Sequence, residues 1–531
     1  MSILVNYPAI VALITALSFI VSRRWLQKRT CPGLPPGPKP LPIVGNIRDL
    51  PTKGEPEFRH WLAHKDAYGP ISSITVMGQT IVIVHDKQIA VQLLEQQSLK
   101  TSGRPKLAFA DMCGFSETPA CRQHDDVFRR CRKLMHQQIG TDAKVTEAHQ
   151  TIETEGQRFL EWALNKPESL MEHVKTLTGA VMLKATYGYS VDVEHGDPLV
   201  RLVERYMANF SKAFSPGTWL VDVFPALKHL PDNLPGMAFK KTARRWKKTT
   251  EEGEDIPYFF VRHQMKGGYN RDSFTSRLVQ QHGESGPSRE DELNIKSSAM
   301  AQFTGGSDTT VAALRVFILA MIKFPEIQRK AQQEIDSVIG TDRLPQHKDR
   351  VSLPYIEGVV KEVFRWSPVG YLGIPHMATE NLVQNDYLIP KGAMIIPNIW
   401  WFTHDPKVYS DADSFNPDRY QTPFNEPDPK NVIFGFGRRI CPGRYFANAS
   451  IFIIIAQMLS VFYIRKAVDK HGIELEAQLK VQPGLVSFPL PFPYKITPRD
   501  DGKADLIRRM NAEKPREMSD ASFFDGVVFG E

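Results

Sequence analysis

The chain has 531 residues, with 66 lysines and arginines against 59 aspartates and glutamates, a formal charge of +7. Hydrophobic residues at 42% and charged residues at 24% are ordinary globular usage at a length that buries a large core, which excludes a mini-protein, a collagen and a disordered tail. Five cysteines in so long a chain cannot staple a secreted fold, and the basic clusters Lys240-Lys241 and Arg244 to Lys248 read as a solvated helix face, so no nucleic-acid partner is expected.

Residues 3–21 carry no charged side chain, and as a helix they would span about 28 Å, close to the hydrocarbon thickness of a bilayer. Arg23, Arg24, Lys28 and Arg29 follow directly, which orients the rest of the chain to the cytosolic side. A cleaved signal peptide is disfavoured by the missing basic leader and small-residue cleavage site. The prolines between Cys31 and Pro42 forbid a continued helix and make a stiff strut. The expected organisation is an anchor over 1–22, a basic and proline-rich strut over 23–50, a single body over 51–500 and a polar tail over 501–531.

Within the body, β-branched runs at 71–77 and 81–84 flank Gly78-Gln79 and predict a hairpin. Helical periodicity dominates after that, over 127–139, 151–164, 199–213, 293–323, 326–339 and 355–366. Loop formers at 282–290 precede the longest of these helices. The predicted class is mainly α with a minor β portion.

Four constellations carry chemistry. Phe128-Arg129-Arg130-Cys131-Arg132-Lys133, with His376 and Arg439 from distant segments, offers cations suited to carboxylates of a cofactor. Gly305-Gly306-Ser307-Asp308-Thr309-Thr310 interrupts an apolar helix, where two glycines cost about 1 kcal/mol each relative to alanine. Such a break allows close approach of a flat ligand and a loosened helix, with Asp308 and Thr309 placed to relay protons. Glu362-Val-Phe-Arg365 shares one helix face, and Phe415-Asn-Pro417-Asp-Arg419-Tyr420 adds a second arginine in a proline-fixed turn. Phe434-Gly435-Phe436-Gly437-Arg438-Arg439-Ile440-Cys441-Pro442-Gly443 puts a thiol just before a helix start, where a lowered pKa is expected to favour thiolate and metal ligation. A dinucleotide loop at Gly435-x-Gly437 lacks the third glycine and a βαβ setting.

Together these motifs resemble the cytochrome P-450 family of haem-thiolate monooxygenases, microsomal in type and similar to fungal enzymes of secondary metabolism. The resemblance runs from the anchor to about residue 500. It implies haem b with Cys441 as the metal ligand inside the F-x-x-G-x-R-x-C-x-G loop, whose Phe434, Gly437 and Gly443 cradle the cofactor. It implies Arg132, His376 and Arg439 on the propionates, Glu362, Arg365 and Arg419 as a structural triad, and Asp308 and Thr309 as the catalytic proton relay. Phe128 stands where many members have Trp, which removes one propionate hydrogen bond.

The same resemblance implies O2 and a lipophilic substrate, with electrons from NADPH through a separate flavoprotein reductase or a b-type cytochrome, at the endoplasmic reticulum membrane. Arg438, Arg439 and Arg444 are the candidate docking cations. Candidate substrate contacts are Leu107, Phe109, Phe115, Phe210, Trp219, Val369, Leu372, Ile374, Leu485 and Val486, whose apolar character suits a terpenoid or polyketide. The rival readings are a haem-thiolate isomerase or dehydratase needing no reductase, a non-catalytic haem sensor, and a zinc protein using Cys121, His124, Cys131 and His136.

Overall fold

The computed structural model describes residues 32–52, 54–215, 217–513 and 517–527; the predicted anchor and the start of the strut lie outside them. The principal helices are α1 (Glu57–Tyr68), α2 (Asp126–Ile139), α3 (His149–Asn165), α4 (Leu170–Tyr187), α5 (Pro198–Ala213), α6 (Ala238–Gly267), α7 (Arg289–Lys323), α8 (Pro325–Ile339), α9 (Pro354–Trp366), α10 (Arg444–Val461) and α11 (Asp501–Ala512). All six helices predicted in the body are present, and so is the hairpin. Its strands β1 (Ile71–Val76) and β2 (Gln79–Val84) pair antiparallel, with Ile74 opposite Ile81.

Local chemistry sets the ends of these helices. Asp125 caps α2 by accepting from the Phe128 N–H, and Asp197 caps α5 just before Pro198. Ser288 caps α7, with Glu290, Asp291 and Glu292 in its first turn and Lys323 in its last, matching the helix dipole at both ends. α7 is the hub: it packs on α2, α4, α6 and α10. Both α7 and α10 are long and apolar enough to cross a membrane, yet the apolar stretch of each is mostly buried inside the protein.

α4 was not foreseen as an element, and of α6 only the basic helix face at 240–248 was. α6 runs for 30 residues through Pro257, and its dense charges conceal the period of its buried face.

The sheet has the order β1-β2-β6-β3, where β3 is His376–Met377 and β6 is Met394–Pro397. β4 (Leu382–Gln384) with β5 (Tyr387–Ile389), and β7 (Phe462–Arg465) with β8 (Lys495–Pro498), form two small ribbons. One long-range bridge matters for the site: Gly103 and Met377 exchange backbone hydrogen bonds at 3.2 and 2.9 Å, which fixes residues 101–104 beside His376.

The segment expected to be a polar tail is instead docked. α11 buries Leu506 and Ile507, and Phe524 packs between Tyr189 and Phe260. Glu517 pairs with Lys184, and Asp520 pairs with Arg271 and accepts from the Ser190 N–H. Sparse apolar residues were enough because each meets a ring or a helix already in place. Phe524→Ala is therefore expected to destabilise the protein by about 3 kcal/mol, read as a lower chemical-unfolding midpoint; an unchanged midpoint would show that the segment does not dock.

Candidate active site

The site grows from the end of α9. Its apolar face (Ile356, Val359, Val360, Val363) is buried in the core, which places Glu362 and Arg365 inward on the adjoining face. Arg365 donates to both Glu362 carboxylate oxygens at 2.9 and 2.8 Å, and to the carbonyls of Thr403, Ala412 and Ser414. Arg419 Nε donates to Glu362 Oε1 at 3.1 Å, while its Nη1 pairs with Glu426 at 2.6 Å. The Tyr420 hydroxyl and the Asn416 N–H donate to the same Glu362 carboxylate. Glu362, Arg365 and Arg419 are thus brought together, fully buried, and they tie α9 to the irregular stretch 403–426.

That stretch leads into residues 434–443. The Cys441 N–H donates to the Phe434 carbonyl at 2.8 Å, closing the loop, and the Phe434 ring meets Phe364 edge-on. Gly437 has φ +53°, and a Cβ there would lie 2.3 Å from the Leu94 carbonyl oxygen, so only glycine fits. A side chain at Gly443 would touch Cys441 Sγ. No strand precedes the loop, so it is not a dinucleotide-binding turn.

Cys113, Cys121 and Cys131 are buried, whereas Cys441 keeps accessible surface. Even so, it is crowded enough that burial pushes its thiol pKa up, outweighing the Gly443 N–H and the nearby Arg132 and Arg444 guanidinium groups. This corrects the expected lowered pKa: the helix start does not outweigh burial at this thiol.

Basic side chains converge nearby without a direct ion pair; Asp125 acts on Arg439 only from a distance. Arg439 donates to the carbonyls of Ser102, Pro119 and Arg122 and lies 4.0 Å over the Phe128 ring, so the phenyl face supports it where an indole N–H is missing. His376 Nδ1 donates to the Thr101 carbonyl at 3.0 Å, and burial with Arg104 and Arg439 lowers its pKa to about 3. Arg132 has no hydrogen bond or ion pair among the described residues, and burial lowers its pKa. Burial also lowers Arg439 to about 9, with Arg104 and Arg132 adding to the effect.

Arg104 was not singled out from the sequence. It is buried, donates to the Ala120, Ile374 and Pro375 carbonyls, and leaves Nη2 unspent. Its partners lie far apart in the chain, so no local motif announces it. Three buried or half-buried guanidinium groups, none hydrogen-bonded to a carboxylate, beside a neutral His376 call for an anionic ligand, and the two propionates of a haem beside a free thiol fit that demand.

The α7 motif divides in two. A Cβ at Gly306 would fall 2.5 Å from Met182 Sδ, so this glycine serves α4–α7 packing, whereas a Cβ at Gly305 would meet nothing within 4 Å. The helix runs unbroken through both, contrary to the loosening expected, and Thr309 Oγ1 donates to the Gly305 carbonyl at 2.6 Å. Asp308 is half-buried. Burial pushes its pKa up to about 7; Glu204 on α5 adds to the rise, and Lys175 on α4 and Arg315 on α7 oppose it.

The candidate substrate contacts separate. Phe109 stacks on Trp219 at 3.5 Å and meets Trp246 edge-on, while Phe115 meets Tyr206 and Phe210. Phe109 and Phe115 keep no accessible surface, which corrects them to core residues. Phe210 is nearly buried among the same rings, whereas Leu107 and Trp219 stay half-buried. Val369, Ile374, Leu485 and Val486 keep accessible surface, and the Ser487 N–H donates to the Val369 carbonyl. Leu372 also keeps accessible surface and packs against the small cluster of Trp61, Ile74 and Ile83.

The suggested zinc ligands do not converge: Cys131 Sγ faces Asn294, and the His124 ring packs on Phe128. No group of three or more metal-ligating side chains is found among the described residues. Of the candidate docking cations, Arg438 alone is exposed; Arg439 is buried and Arg444 Nη1 donates to the Cys441 carbonyl.

The family model of cytochrome P450 matches residues 35–489. The chain is 46% identical over 520 residues to a multifunctional cytochrome P450 monooxygenase of Aspergillus fumigatus, af510, covering 97% of this chain and 96% of that one. It is 44% identical over 519 residues to the cytochrome P450 monooxygenase CLM2 of Gibberella zeae, covering 97% and 98% of the two chains. It is 38% identical over 508 residues to an O-methylsterigmatocystin oxidoreductase of Aspergillus flavus, with 95% of each chain covered.

Two outcomes are expected. Glu362→Ala strands Arg365 and Arg419 without their shared carboxylate and should cost about 3–5 kcal/mol, seen as lost soluble protein or a much lower urea midpoint; Glu362→Gln should cost less. Asp308 binds its proton in the folded state up to about pH 7, against an ordinary value of 3.8. Its stabilising contribution is complete below about pH 4 and is lost as pH rises through 7. The wild type should therefore lose melting temperature relative to Asp308→Asn between pH 5 and pH 8; parallel curves would contradict the shifted pKa.

Proposed function

The chain belongs to the cytochrome P450 family, oxidoreductases that incorporate oxygen at a thiolate-ligated haem iron with electrons from a redox partner, and on that premise we propose that it oxidises a lipophilic secondary metabolite, a terpenoid or polyketide, at the endoplasmic reticulum membrane. The observation that carries the reading is the Cys441 thiol, which keeps accessible surface, together with Arg104, Arg132 and Arg439, none of them paired directly with a carboxylate, and the buried His376.

Cys441 holds the iron. Arg132 and the unspent Nη2 of Arg104 take the propionates, with Arg439 and His376 completing the positive wall. A propionate beside His376 would raise its depressed pKa, so that the imidazolium donates through both ring nitrogens. Haem with a thiolate ligand supplies electron density that favours O–O bond cleavage.

The protein's own residues manage protons and water. Asp308, with its pKa near 7, is protonated in part at neutral pH and can release a proton and recover it from solvent. The Thr309 hydroxyl spends its hydrogen on the Gly305 carbonyl, leaving its lone pairs to accept from a proton-carrying water. Open space at Gly305 lets a flat ring lie against α7, and the apolar walls at Val369, Ile374 and Leu485 exclude bulk water and hold a C–H bond in reach.

Residues 3–21 followed by four basic residues support a single membrane span with a cytosolic body and an NADPH-dependent flavoprotein reductase or a b-type cytochrome as electron donor. Full-length protein in vesicles with a reductase is expected to convert polyketide or terpenoid substrates only when NADPH and O2 are both supplied. Asp308→Asn should slow turnover by about a hundredfold. Product formed without NADPH or reductase would instead identify an isomerase or dehydratase.

A further inference from the structure

α7 is buried along most of its length, yet Ser297, Ala301, Gly305 and Thr309 all keep accessible surface. Four-residue spacing sets them along one face with a slow drift of about 40° per step. The lower end of this stripe is the open Gly305 and the Thr309 hydroxyl. Its upper end differs in chemistry.

Glu254 of α6 faces the Ser297 hydroxyl there; burial pushes its carboxyl pKa up to about 7, Ser297 and Lys296 oppose the rise, and Asp255 and Glu117 add to it. Asn294, one turn before Ser297 and 3% exposed, passes its Oδ1 to Cys131 and leaves Nδ2 with no partner. An apolar stripe therefore ends in an acceptor, a hydroxyl and an unspent buried donor. A hydroxyl group is the ligand that can donate to a carboxyl and accept from an amide at the same place. Twelve residues of helix separate Ser297 from Thr309, about 18 Å at 1.5 Å per residue.

We propose that the accessible face of α7 takes an elongated lipophile bearing a hydroxyl at the end remote from the oxidised carbon, recognised by Glu254, Ser297 and Asn294. This rests on the monooxygenase reading and narrows its substrate class. The substrate is then the product of an earlier step that leaves or installs a terminal hydroxyl, and Glu254 selects for it while Thr309 stands at the reacting end.

The test is the substrate-induced shift of the haem spectrum in the holoenzyme, titrated with tetradecanol, tetradecane and octanol. The wild type should bind tetradecanol about tenfold more tightly than tetradecane, the worth of one net hydrogen bond. Octanol, too short to span the stripe, should bind much more weakly than tetradecanol. Glu254→Leu and Ser297→Ala should each erase most of the tetradecanol preference, and Glu254→Gln, which keeps an acceptor oxygen, should retain most of it.

A preference unchanged in Glu254→Leu and Ser297→Ala, or octanol binding as tightly as tetradecanol, would overturn the proposal. The carbon monoxide spectrum of the same samples separates the two levels. A missing thiolate band defeats the monooxygenase reading, and an intact band without hydroxyl preference defeats this one.

Discussion

One carboxylate organises the architecture around the site. Glu362 is fully buried and accepts from Arg365, Arg419, Tyr420 and the Asn416 backbone. Without it Arg365 would sit unbalanced in the core and Arg419 would keep only Glu426, and with it the irregular stretch 403–426 is held to α9. Arg365 extends the hold by taking three backbone carbonyls of that stretch, groups that no sheet or helix satisfies there. The cysteine loop begins where this stretch ends, so its position depends on an ion cluster that never touches the cavity.

The electrostatics on the cavity side are the reverse. Near Glu362 charge is balanced within the protein; near Cys441 it is left unbalanced. Arg104, Arg132, Arg439 and His376 carry depressed pKa values because burial takes water away and none of them pairs directly with a carboxylate, the distant Asp125 only partly opposing the fall at Arg439. Such a cluster is costly for the polypeptide alone and is relieved by a dianionic cofactor, so cofactor binding and stability of this region are coupled. The raised thiol pKa of Cys441 belongs to the same picture: burial favours the neutral thiol, and a positive charge brought by a cofactor would favour the thiolate.

Much of this was legible in the sequence because the decisive groups lie in short windows. Glu362 and Arg365 are three apart on a helix whose apolar face is plain, and the 434–443 string compresses loop, cation and thiol into ten residues. Periodicity located α2, α3, α5, α7, α8 and α9. What escaped depends on contacts distant in the chain. Arg104 matters because a bridge at Gly103–Met377 sets it beside His376. Gly306 looked like part of a ligand-facing pair until Met182 of α4 was seen against it. Phe109 and Phe115 have the composition of a substrate wall, and only the stacked Trp219 and the Tyr206–Phe210 pair show that other rings already cover them. The C-terminal segment reads as polar because the apolar side chains that dock, Leu506, Ile507 and Phe524, are few and lie among charged residues.

The most direct measurement is the carbon monoxide difference spectrum of the dithionite-reduced full-length protein beside Cys441→Ser. The account predicts a strongly red-shifted Soret band in the wild type that is lost in the variant. The same band in both, or none in haem-replete wild type, would contradict Cys441 as the iron ligand and the oxygen chemistry that follows from it.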